Sequence, residues 1–126
     1  MTDALPAAPL VLLVDDSELV TEALGVLLEA SGYRVRTAAS VADALRAAGA
    51  EPPDVLLVDL TLPDGDGLAI VRALAADASP RVVAIALTGH DDPSTEARCR
   101  AAGCRAVLVK PVRSATLLAT LRAATG

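Results

Sequence analysis

Residues 54–59 read Asp-Val-Leu-Leu-Val-Asp, and this short stretch decides the fold. Four consecutive branched aliphatic residues, Val55 to Val58, leave no polar face, so a strand built from them must be covered on both sides. Leu10–Val14 (LVLLV) and Val82–Leu87 (VVAIAL) have the same continuous character. Arg34–Thr37 alternates instead and belongs nearer a sheet edge, and Ala106–Val109 supplies a fifth run.

Helical spacing fills the gaps. Ser17–Ser31 carries Leu19, Val20, Leu24, Leu27 and Leu28 and stops at Ser31-Gly32. Ser40 can cap a second helix that Gly49 ends, and Asp66 a third with Leu68, Val71, Leu74 and Ala75 facing inward. Asp92–Ala102 forms a fourth, ended by Gly103, and Pro111–Ala124 a fifth. The order is strand then helix, five times. Crossovers long enough for one helix each imply parallel strands with right-handed connections. The expected architecture is therefore α/β, a doubly wound five-stranded parallel sheet with helices on both faces. Residues 1–8 read as a flexible tail rich in Ala and Pro, and 9–124 as one domain.

Composition narrows the function. Hydrophobic residues make up 53% of the 126-residue chain, which argues against disorder. With 27 Ala, 20 Leu and 14 Val but no Phe or Trp, the core must be packed from small and branched aliphatic side chains. The net charge is -5 and Lys110 is the only lysine, so a lysine-lined groove for nucleic acid is excluded. Tyr33 is the one aromatic able to stack on a base. Cys99 and Cys104 read as ordinary small hydrophobes. No apolar run reaches the roughly 18 residues of a membrane span, and the first residues lack the basic region of a signal peptide. A cytoplasmic location is the expectation.

Ligands of a parallel sheet bind at the carboxyl ends of its strands. There the chain places Asp15-Asp16 after the first strand, Asp59 after the third, Thr88 after the fourth and Lys110-Pro111 after the fifth. None is needed to build the sheet. Taken alone, Asp15-Asp16 could be a helix cap with a favourable first-turn charge, and Thr88 an ordinary loop residue. Together, the three acids would repel one another unless a hard divalent cation relieved them, and oxygen donors of this kind suit Mg²⁺. Too few for a full cage, they leave room for a phosphoryl oxygen, with the Lys110 ammonium and Thr88 hydroxyl as further clamps. A carboxylate so placed can attack phosphorus and hold an acyl phosphate. The expectation is that residues 15, 16, 59, 88 and 110 meet in a single pocket.

With these residues in order, the chain resembles the receiver domain of two-component response regulators from about Leu10 to Ala124. The paired acids, Asp59, Thr88, Lys110-Pro111 and the loop LTLPDGDG with Pro63 and Gly67 carry the resemblance. It implies a flavodoxin-like (βα)5 three-layer sandwich with strand order 2-1-3-4-5. It implies that Asp59 takes a phosphoryl group from phosphohistidine on a sensor histidine kinase or a histidine phosphotransferase, and slowly loses it to water. Such a domain phosphorylates and dephosphorylates itself rather than turning over substrate, and signals by changing shape toward a downstream protein. Asp16, Asp59 and the Thr61 backbone carbonyl would hold Mg²⁺, with Asp15 acting through water. Thr61 and His90 would tune the lifetime of the phosphorylated form, and the Lys110-Pro111 bond would be cis. The family's switch aromatic is replaced by Val107, so any switch must travel through backbone shifts of the fourth helix and fifth strand.

Other readings compete. A receiver-like binding module that no longer accepts phosphate finds its best support in Val107. A phosphohydrolase with a nucleophilic Asp needs a second acid two positions on, where Thr61 stands. The domain can be a stand-alone regulator or one excised from a hybrid kinase. Leu19 and Val26 on the first helix suggest a protein-docking patch. The few charges on the fifth helix, Arg113 and Arg122, suit a monomer, or a weak homodimer through Leu118. Neither nucleic acid nor membrane is expected as a partner.

Overall fold

The computed structural model describes residues 8–76 and 82–125. In chain order the elements are β1 (Leu10–Val14), α1 (Glu18–Ala30), β2 (Arg34–Ala38), α2 (Val41–Ala50), β3 (Val55–Asp59), β4 (Thr61–Leu62), β5 (Gly65–Asp66), α3 (Leu68–Ala76), β6 (Val83–Thr88), α4 (Pro93–Ala102), β7 (Cys104–Val109) and α5 (Ser114–Thr125). The main sheet is parallel, with order β2-β1-β3-β6-β7. Counted over its five strands this is the flavodoxin-like 2-1-3-4-5 order. Residues 1–7 of the expected tail lie outside the described residues.

Burial follows the apolar pattern. β1, and β3 up to Val58, are buried throughout, while β2 at the edge exposes Arg34, Arg36 and Thr37. Successive side chains of a strand point to opposite faces. Leu12, Val14, Leu56, Val58, Ala84 and Ala86 pack under α2, α3 and α4. Val11, Leu13, Val55, Leu57, Ile85 and Leu87 pack with Leu28 of α1 and Leu117 and Leu121 of α5. Ala44, Ala48 and Ala102 are buried helix positions with almost no side chain, which lets these helices lie close to the sheet. Cys99 and Cys104 are free and buried. Burial pushes the Cys104 thiol up to about 12 and Cys99 in the same direction, so both stay neutral and act as core atoms.

Local signals set most helix ends. The Ser17 and Ser40 hydroxyls accept from the N–H groups of Val20 and Asp43. Gly103, at φ +115, stops α4 in the left-handed conformation. Two helix ends and one inward-facing position differ from expectation. Helix α2 passes through Gly49 and ends at Ala50, because Glu51 precedes Pro52 and is driven into extended geometry. The first bond of α5 runs from the Leu117 N–H to the Arg113 carbonyl, so the helix starts at Ser114 rather than Pro111. In α3, Leu68, Ile70 and Val71 are buried and Leu74 half-buried, but Ala75 in the last turn is exposed.

The two-residue strands β4 and β5 are an addition. They form an antiparallel hairpin directly after Asp59, turning through Pro63-Asp64, with Gly65 at φ +154.

Leu57 is fully buried at the centre of the sheet and Leu19 is 81% exposed. Leu57→Ala should lower the unfolding free energy in urea by about 2–5 kcal/mol, whereas Leu19→Ala should change it by less than about 0.5 kcal/mol.

Candidate functional site

Sheet register delivers the site. Val14 is level with Val58, so Asp15 and Asp59 leave neighbouring strands side by side. Asp59 is level with Leu87, one residue before Thr88, and Thr88 is level with Val109, one residue before Lys110. The polar residues that follow the apolar runs are thereby gathered on one rim.

Asp15 is 2% exposed, yet both its oxygens are engaged. Oδ1 accepts from the Ser17 N–H at 2.9 Å and Oδ2 from the Lys110 ammonium at 2.9 Å. The same ammonium lies 3.2 Å from Oδ2 of Asp59. Burial works against the charge of Lys110, but its hydrogen bond to Asp15 and the charges of Asp59 and Asp15 outweigh burial and hold its pKa above the usual value. Carboxylate oxygens of Asp15, Asp16 and Asp59 lie within 4.8 Å of one another. Since Ser17 caps α1, neither acid is spent on capping that helix.

Around this centre the backbone is tightly set. The Thr61 N–H donates to Oδ1 of Asp59 at 3.3 Å. The Gly67 N–H donates to the Leu60 carbonyl, and a Cβ on Gly67 would overlap the Asp59 carbonyl oxygen, so this position requires glycine. Thr88 is 1% exposed. Its carbonyl accepts from the Lys110 N–H at 2.7 Å and its hydroxyl oxygen from the His90 N–H at 3.0 Å, which leaves the hydroxyl proton available to donate.

The donor set fits a hard divalent cation. It offers oxygen only, the donor type Mg²⁺ prefers, from three carboxylates whose oxygens lie within 4.8 Å of one another. Three carboxylates beside one ammonium leave excess negative charge for such an ion to neutralise.

Other expected residues sit nearby in different settings. Thr61 and His90 are exposed at the rim. Val107 is half-buried against the core under α2, α3 and α4. The Lys110-Pro111 bond is cis. Leu118 is half-buried and packs against the core on the α1 and α5 side. A groove of about 490 Å³ runs between α1 and the loop after β7, lined by Leu19, Val20, Ala23, Leu24, Pro111 and Val112. Sequence reasoning missed Asp64, whose carboxylate accepts from the Val41 and Ala42 N–H groups at the head of α2. The Pro-Asp-Gly run marks the turn, but no local pattern names a partner 22 or 23 residues away.

Comparisons with known proteins agree with this fold. The family model of the response regulator receiver domain matches residues 11–122. Transcriptional regulatory protein KdpE of Mycobacterium tuberculosis is 39% identical over 115 residues, covering 91% of this chain and 50% of KdpE. The chain thus spans about half the length of KdpE. Polar-differentiation response regulator DivK of Brucella ovis is 33% identical over 117 residues, covering 92% of this chain and 95% of DivK. Among solved structures, chemotaxis response regulator CheY4 of Vibrio cholerae superposes with a TM-score of 0.87 at 31% identity, covering 93% of this chain and 98% of CheY4.

Asp16→Asn removes one of the mutually repelling charges and should raise metal-free stability, on the order of 0.5–1 kcal/mol in urea unfolding. Added Mg²⁺ should raise the Tm of the parent protein and not that of Asp16→Asn. Because the folded pKa of Lys110 is raised above 10.5, its pairing contribution is fully present below that pH and is lost as pH rises through the folded value. Stability between about pH 6 and 9 should therefore show no titration of Lys110, and its loss should begin only above about pH 10.5.

Proposed function

We propose, from the premise that this chain belongs to the response regulator receiver domain family, that it accepts a phosphoryl group on Asp59 and signals by the change of shape that follows. The observation that carries the reading is the bridging of Lys110 between Asp15 and Asp59 beside a third carboxylate. As a member of this family it serves two-component signal transduction.

The chemistry assigns one role to each group. An Asp59 oxygen attacks phosphorus of a phosphohistidine. The new O–P bond forms as the N–P bond breaks, and the histidine nitrogen departs with the electron pair and takes up a proton. Asp16, Asp59 and the Thr61 carbonyl would hold Mg²⁺. Asp15 would act through water, which suits a carboxylate whose two oxygens are already engaged. Held there, the cation would supply positive charge to the phosphoryl oxygens. Lys110 exchanges its hold on the Asp59 carboxylate for a phosphoryl oxygen, and the Thr88 hydroxyl donates to another. Water later attacks the same phosphorus, releasing inorganic phosphate and restoring the carboxylate. Thr61 and His90, exposed beside this path, tune that rate.

The partner is a sensor histidine kinase or a histidine phosphotransferase. The apolar groove beside Lys110, with Leu19 standing out from α1, suits the docking of a helix that bears the donor histidine. Val107 has no ring to swing, so the signal passes through backbone shifts of α4 and β7 to a downstream protein. No described helix is long and apolar enough to cross a membrane. We assign the protein to the cytoplasm, where such kinases present their phosphohistidine.

Incubation with acetyl phosphate and Mg²⁺, read by intact mass, tests this. One phosphoryl mass should appear, should require Mg²⁺, and should be absent from Asp59→Asn. Lys110→Met should lose most of the labelling and unfold at a lower Tm than the parent, because it leaves the buried Asp15 carboxylate unpaired. A parent protein that gains no phosphoryl mass from acetyl phosphate or from a phosphorylated histidine donor would end the proposal and favour a pure binding module.

A further inference from the structure

The hairpin that follows Asp59 is tied down on two sides. On one side, Asp64 Oδ1 accepts from the Val41 N–H at 2.8 Å and Oδ2 from the Ala42 N–H at 3.0 Å. On the other, Asp66 accepts from Arg98 of α4 at 2.9 Å and from the Leu68 N–H at 2.9 Å. The two ties are unequal in strength. The Asp66–Arg98 pair is largely exposed and contributes little. Asp64 places a full carboxylate on two unpaired N–H groups at a helix start, where hydrogen bond and helix dipole act together. The third N–H of α2, that of Asp43, is already taken by Ser40. Gly65, between the two aspartates, takes a φ of +154 that other residues rarely adopt.

This hairpin also carries Thr61, whose N–H donates to Asp59. We infer that Asp64 is a positioning residue for the cation site: by clamping the hairpin to the head of α2, it fixes the Thr61 backbone and so the orientation of the Asp59 carboxylate. The inference rests on the reading of Asp16, Asp59 and Thr61 as the cation site. Asp64 touches neither the cation nor a substrate; it acts through the backbone of β4.

Ser40 provides the control, because its hydroxyl caps the same helix through the Asp43 N–H rather than through the hairpin. Mg²⁺ affinity of the full chain is measured by calorimetric titration, with thermal unfolding alongside, for Asp64→Ala, Asp64→Asn and Ser40→Ala. Asp64→Ala should weaken Mg²⁺ binding about tenfold, the scale on which groups supporting a metal ligand act. Asp64→Asn keeps one acceptor oxygen and should fall between parent and alanine; it carries the comparison if the alanine variant does not fold. Ser40→Ala should lower the Tm and leave Mg²⁺ affinity unchanged. The Thr61 amide resonance should shift in the Asp64 variants and stay in place in Ser40→Ala. Parent-like Mg²⁺ affinity in both Asp64 variants would overturn the inference, as would an equal weakening by Ser40→Ala. A parent protein that binds no Mg²⁺ would instead overturn the reading of the cation site itself, and the inference with it.

Discussion

One ammonium held between two carboxylates is the interaction on which the rest depends. Lys110 stands 2.9 Å from Asp15 and 3.2 Å from Asp59, and Asp16 adds a third acid. The sheet gains nothing from holding three like charges at its rim. The lysine makes the arrangement tolerable in a folded chain, and the remaining negative charge makes it receptive to a cation. Placing the only lysine of the sequence at this point keeps the compensation local.

Holding these groups in register is a task for the core, and the core does it with very plain material. The central strands are walled on both faces by Val, Leu, Ile and Ala, with no large ring among the fully buried side chains. Alanines on α2 and α4 let the helices lie close to the sheet. Close packing of this kind resists change, since interiors are as dense as organic crystals. The rim inherits that rigidity. Asp59 ends a buried strand, Thr88 ends the next, and Gly67 leaves no free space behind the Asp59 carbonyl.

Much of this was legible before any coordinates. Three unbroken apolar runs required strands covered on both faces, and the acids and lysine at their ends had no structural duty. The bounds of β1 match the apolar run to the residue, because strand and run end where Asp15 begins. What the pattern hid was of two kinds. Elements two residues long have no period to read, so β4 and β5 passed as a loop. Contacts between distant segments leave no local trace: the clamp of Asp64 on α2 and the Asp66–Arg98 pair come from the tertiary structure alone. Gly49 misled as a helix stop because Pro52, two residues past the last helical position, decides where α2 ends.

The central claim is that the carboxylate of Asp59, and no neighbouring acid, forms the bond to phosphorus. Borohydride reduction tests it most directly, because it converts an aspartyl phosphate to homoserine while sparing free carboxylates. Peptide sequencing of the reduced, phosphorylated protein should find homoserine at position 59 and aspartate at 15 and 16. Homoserine at 15 or 16, or phosphate recovered on a serine, threonine or histidine with Asp59 intact, would contradict the account.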